Sequence, residues 1–159
     1  MDLRLIYAIL LTLAPLTELR VGLPLAMTYG ISNQVPLFLI FTLIILVNLI
    51  LILILFLLID SIHKFLGRFS LYRTWFDRNL ARLRNKVSRI GRKYQNIGYT
   101  ALIIFVAIPV PGTGVWSACI ITWILGLDRL KSTVAISMGV ILAGIIVLLG
   151  SLGIFSLIY

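Results

Sequence analysis

Ile108-Pro109-Val110-Pro111-Gly112-Thr113-Gly114 stands between residues 99–107 and 115–125, two apolar flanks without a single charge. Proline lacks the N–H and clashes with the preceding turn, and glycine favours open backbone, so a helix entering this stretch must break. The break leaves polar backbone groups unpaired. In hydrocarbon such groups are tolerated only where the broken backbone is buried in protein or lines a wet cavity. The stretch is therefore a binding-site candidate at membrane depth.

The composition around it is that of a polytopic membrane protein. Of 159 residues 61% are hydrophobic and 12% charged, and the mean hydropathy is +1.13, values outside the soluble range. We read residues 1–159 as one membrane domain. The formal net charge of +9 is concentrated in residues 61–97, which hold ten Lys/Arg against the single acid Asp77. Elsewhere Arg4, Arg20, Arg129 and Lys131 balance Asp2, Glu18, Asp60 and Asp128. The lone Cys119 excludes an intrachain disulfide and reads as core filling.

Upstream of the break, residues 72–97 place Phe76, Leu80, Leu83, Val87, Ile90, Tyr94 and Ile97 at spacings of four and three, with basic residues on the other faces. That pattern predicts an amphipathic helix lying on anionic lipid headgroups. A coiled coil between subunits is the alternative, but its like charges would repel. Nucleic acid is a poor partner here, since no aromatic platform or recognised module accompanies the basic run. His63 reads as interfacial, because no second histidine exists to share a metal.

Residues 35–59 form an uncharged run with Pro36 at its start and Asn48 near its centre, which predicts a spanning helix. Before it, residues 1–13 are apolar but short, Pro15 interrupts, and the apolar pattern resumes through Glu18 and Arg20 to Gly30. A cleaved signal peptide is disfavoured by Asp2 and by the absence of a small-x-small site at Ala14-Pro15-Leu16. Downstream of the break, Asp128-Arg129-Leu130-Lys131 is a polar turn and residues 132–159 are long enough to span. There Ala135, Gly139 and Ala143 form a small-residue stripe that admits a close helix, either within the chain or across a homodimer.

Short Lys/Arg-rich loops stay cytoplasmic, so residues 61–97 and the Arg129/Lys131 turn are expected on the same, cytoplasmic side. Residues 98–127 are too few for two crossings, which take about 20 residues each, and should dip in and return as a re-entrant hairpin. Residues 1–31 look like a weak copy: Pro15 to Gly30 and Pro111 to Gly126 have equal spacing, and each unit is followed by one span. The expected fold is an all-α membrane protein with two re-entrant helical hairpins and two long spanning helices as an inverted repeat, plus a basic amphipathic cytoplasmic helix. Secondary transporters use that plan and bind substrate near the midplane where the breaks meet.

Glu18 and Arg20 are ionisable residues in an apolar setting, which is by default a functional hypothesis; a structural ion pair is the alternative. Two positions apart they do not face each other on a helix. A desolvated Glu18 could take up and release a proton during a cycle. Arg20 keeps its charge and suits a phosphate or carboxylate. At the second break the amides of Gly112, Thr113 and Gly114 head the helix from Val115, a natural anion site with Thr113 as cap or ligand. The alternative is that Thr113 only caps its helix and the glycines only allow tight packing. Asn48 is a hydrogen-bonding candidate for either tip. Pro109 and Pro111 shape the second one.

No Ser-His-Asp set, paired carboxylates or metal-ligand cluster is present, so neither an enzyme nor a cofactor is expected.

At these residues the chain resembles the small multidrug export protein family and, at the level of fold, the DedA superfamily. The matching pieces are Glu18-Leu19-Arg20 with Pro24-Leu25-Ala26, then Asn48, then Phe105-Val106-Ala107-Ile108-Pro109-Val110-Pro111-Gly112-Thr113-Gly114-Val115-Trp116, and the Gly139 to Gly144 region. The resemblance implies a re-entrant-loop fold. DedA-like proteins are linked with moving polyprenyl phosphates or other lipids between leaflets on proton or sodium gradients. They typically carry an arginine near the second re-entrant motif, whereas residues 98–127 here are uncharged.

Three functions follow as expectations. The first is a cation-coupled transporter or flippase for a small amphiphilic anion held by Arg20 and the Pro-Gly-Thr-Gly tip. The second is proton-coupled efflux of cationic drugs held by Glu18. The third is a non-transporting membrane organiser whose basic helix recruits anionic lipid.

Overall fold

The computed structural model of the chain describes residues 3–66 and 92–158. Its helices are α1 (Leu3–Leu13), α2 (Glu18–Ser32), α3 (Leu37–Leu66), α4 (Arg92–Ala107), α5 (Val115–Leu125) and α6 (Arg129–Ile158), with no strand among the described residues. Two of them are long and apolar enough to cross a membrane: Leu37–His63, with mean hydropathy 3.3, and Arg129–Gly153, with 2.5. At 1.5 Å per residue each is roughly 37–40 Å long, against a hydrocarbon core of about 30 Å. By the same rise α1 and α5 reach about 16 Å and α2 about 22 Å, too short to cross alone. Phe38, Leu39, Leu46, Leu53 and Leu57 stay exposed along α3, an apolar surface that suits lipid and not water.

The core lies where α2, α3, α5 and α6 meet. Leu23, Met27, Ile44, Ile52, Val115 and Ile136 are essentially fully buried there. The α1–α2 pair packs backbone to backbone, since a Cβ at Gly22 would come 2.8 Å from the Ala8 carbonyl. Glycine is required at that crossing.

Residues 98–127 form two short helices joined by the Pro-Gly break. The α4 helix ends at Ala107, α5 begins at Val115, and the Asp128 N–H donates to the Tyr99 hydroxyl at 3.2 Å. The two ends of the segment are thus joined. Gly126 closes α5 in the left-handed region, φ 63°, while the Leu127 N–H bonds the Thr122 carbonyl, a Schellman-type stop.

Several boundaries differ from the sequence reading. The helix expected over 35–59 runs on to Leu66: the Ser61 hydroxyl bonds back to the Leu57 carbonyl, and Asp60 forms a bidentate pair with Arg129 of α6, so the polar residues remain helical. The span expected from 132 starts at Arg129, because the Asp128 carboxylate caps the Lys131 N–H at 2.9 Å. The expected amphipathic helix over 72–97 lies outside the described residues except for 92–97, which open α4.

The two helix-break-helix units share their order but not their detail. The second helix has 15 residues in the first unit and 11 in the second. Gly30 sits inside α2, whereas Gly126 terminates α5. The small-residue stripe is used within the chain. Ala135 and Ala143 are buried, and a Cβ at Gly139 would meet Val106 Cβ at 2.7 Å on α4.

Candidate functional site

The breaks after α1 and α4 meet. In the first, Thr17 Oγ1 donates to the Leu11 carbonyl at 2.6 Å, and Glu18 adopts a positive φ of 43°. A non-glycine residue in that region is uncommon and persists when its surroundings hold it there. The holding partners lie across the chain. Val115 N–H donates to Glu18 Oε2 at 3.2 Å and Trp116 N–H to Oε1 at 3.4 Å, while the Trp116 indole N–H reaches the Leu13 carbonyl at 3.1 Å.

Glu18 therefore sits at the N-terminus of α5, where free N–H groups and the positive dipole end favour an anion. At the second break, where an anion site was expected, the chain's own Glu18 carboxylate accepts the helix-head N–H groups. The N–H groups engaged belong to Val115 and Trp116, one to two residues beyond the expected Gly112–Gly114 set. The Thr113 N–H instead closes a turn onto the Val110 carbonyl at 3.2 Å.

Arg20 reaches the other side of the same break. Its Nη2 donates to Thr113 Oγ1 at 2.7 Å and to the Ile108 carbonyl at 3.2 Å. Thr113 Oγ1 lies 2.8 Å from both the Ile108 and Val110 carbonyls, which compete for its one hydroxyl proton. Glu18 and Arg20 thus engage different parts of one tip, as two residues two apart on a helix must. Pro24 sits inside α2 and, lacking an N–H, leaves the Arg20 carbonyl without its usual helical partner.

Gly114 is buried against Glu18, and any Cβ there would overlap the carboxylate. Asn48 of α3 is fully buried. Its Nδ2 donates to the Ile44 carbonyl at 3.0 Å, and its Oδ1 has no protein partner. Glu18, Arg20, Asn48 and Gly114 share the wall of a cavity of about 10 Å³, the size of one water. Pro109, Pro111 and Gly112 lie on the exposed side of the break and shape it without facing that cavity. Gly112 takes φ 89°, a turn conformation that favours glycine.

A larger cavity of about 260 Å³ lies at the opposite end of α5, lined by Phe56, Thr122, Trp123 and Arg129 among others. Its one charged lining residue is Arg129, which pairs with Asp60; Glu18 and Arg20 line the smaller cavity instead. Beside the larger cavity the His63 ring meets Trp123 edge-on, with centroids 5.1 Å apart.

Trp116 and the Asp60–Arg129 pair were not singled out as contacts by the sequence. Trp116 could have been suspected as a polar-tipped aromatic one residue into a helix that follows a break. Asp60 and Arg129, far apart in the chain, carried no local signal.

No curated protein and no solved structure matches the chain. A family model described as "Putative small multi-drug export protein" matches residues 18–146, a range that begins at Glu18 and takes in Arg20, Asn48, the second break and the Asp60–Arg129 pair. This membrane chain therefore belongs to the small multi-drug export protein family.

Proposed function

We propose that the chain is a proton-coupled membrane transporter or flippase for a small amphiphilic anion, such as a lipid or polyprenyl phosphate. Both hairpins are re-entrant, entering from opposite faces as an inverted repeat of DedA-like type, with residues 61–97 in the cytoplasm. The observation that supports this most is the Glu18 carboxylate bonded to the Val115 and Trp116 N–H groups. An anion already occupies the site, and it is one that a proton can neutralise.

Protonation of Glu18 makes it a weaker acceptor and frees the head of α5. A phosphate or carboxylate then takes up those N–H groups, and Arg20 turns from Thr113 to meet it. Proton and anion enter together, so the buried site keeps its charge balance.

The test uses full-length protein in vesicles with polyprenyl phosphate and ethidium as the two probes. Anion movement is expected to rise as pH falls. Glu18→Gln should abolish that pH dependence, and Arg20→Ala should abolish anion movement itself. Full transport by both variants rejects the site.

A second reading, efflux of cationic drugs, draws on the family's description and on the buried carboxylate. In it Glu18 holds the cation and Arg20 only braces the break. Ethidium movement that survives Arg20→Ala and is lost in Glu18→Gln selects it.

A further inference from the structure

The coupling chemistry can be narrowed by asking what fits between Glu18 and Asn48. Asn48 is fully buried, and its Oδ1 is an acceptor with no protein partner. A buried unmatched acceptor is costly, so such a group ordinarily has a partner that is not protein. It shares the wall of the 10 Å³ cavity with the Glu18 carboxylate. A neutral guest bonded to both acceptors must donate to each, and the volume admits one heavy atom.

Water satisfies both conditions. A sodium ion would meet the same two oxygens, but the remaining wall residues, Val106, Val140 and Ala143 among them, supply no further side-chain oxygen to complete its shell. Charged or titratable groups facing Glu18 are Arg20 from its own helix and the Cys119 thiol from α5. From α3 comes the neutral Asn48, and from α6 only apolar side chains.

We infer that the Glu18–Asn48 cavity is a built site for one water molecule and that this water delivers the proton to Glu18. The inference rests on the transport reading above for its role, though not for the water site itself. In the relay a hydronium-borne proton from bulk water joins the bound oxygen when the site opens to one face. One of that oxygen's O–H bonds breaks as an O–H bond to Glu18 forms, and the relay is left as water. Asn48 is a positioning residue in this scheme.

Infrared difference spectroscopy of the full chain in phosphatidylcholine vesicles, on a pH jump in ordinary or ¹⁸O water, reads the site without any cargo. The Glu18 carboxyl band, absent in Glu18→Gln, should change together with one buried O–H band that shifts in ¹⁸O water. That O–H band should be lost in Asn48→Leu, which removes the acceptor. It should also be lost in Ala143→Val, which fills the space and leaves both polar groups intact; if Asn48→Leu does not fold, Ala143→Val decides alone. Exchange of Na⁺ for choline at constant pH should leave the carboxyl band unmoved. Persistence of the O–H band in Ala143→Val, or a carboxyl band that responds to Na⁺, overturns the inference. If the band persists while Glu18→Gln still abolishes pH-dependent transport, the water site falls and the transport reading stands. If the band behaves as stated while Glu18→Gln transports with normal pH dependence, the reverse holds.

Discussion

Glu18 Oε2 accepts the backbone N–H of Val115 at 3.2 Å across 97 positions of sequence, so a side chain from the first break terminates the helix that begins at the second. Glu18→Ala leaves the Val115 and Trp116 N–H groups without that acceptor, at a cost of about 1–3 kcal/mol for each group left buried. Glu18→Gln keeps one acceptor oxygen and should lose less. Thermal unfolding in detergent, followed by tryptophan fluorescence, should rank the wild type above Glu18→Gln and Glu18→Ala last.

Gly114 supplies a sharper check, because a Cβ there would overlap the Glu18 carboxylate. Gly114→Ala should be strongly destabilising in the wild type and much less so in Glu18→Ala. A double-mutant cycle should return a coupling of at least about 1 kcal/mol, as contacting residues do. Additive effects would mean that the two residues do not touch.

Arg20 bonds a hydroxyl and a carbonyl of the second break through a planar fork that lysine lacks. Arg20→Lys should therefore fail to restore polyprenyl phosphate movement, with a loss of tenfold or more, or about 1.4 kcal/mol. Thr113→Val removes only one partner and should retain more activity. Initial rates in vesicles decide the order.

The Tyr99–Asp128 contact sets the two ends of residues 98–127 side by side. With Cys119→Ser as background, cysteines at 97 and 128 should react with a membrane-impermeant maleimide from the same face. Labelling from opposite faces would exclude a re-entrant second hairpin.

Asp60 and Arg129 link α3 to α6 as a bidentate pair, with Arg129 56% exposed. Exposed pairs contribute about 0–1 kcal/mol. Asp60→Asn should shift the unfolding midpoint only slightly, and the exchange Asp60→Arg with Arg129→Asp should recover the difference.

The sequence by itself determined that this is a helical membrane chain, that two helices are long enough to span, that the backbone breaks near Pro15 and between Pro109 and Gly114, and that Glu18 and Arg20 sit beside the first break. These follow from local rules: apolar length, the missing proline N–H, and the rarity of charge in apolar runs. Which partner each charge takes was not legible there. Glu18 reads as an ion-pair member or a proton carrier, and its hydrogen-bond partners stay unknown until Val115 and Trp116 are brought to it from 97 and 98 positions away. Asn48 reads as a hydrogen-bonding candidate for either tip, and only the fold shows its Nδ2 on the Ile44 carbonyl and its Oδ1 buried and unmatched. Only the tertiary structure decided these, because hydrogen-bond partners at long sequence separation are set by how α2, α3, α5 and α6 pack, and no periodicity in the chain encodes that packing.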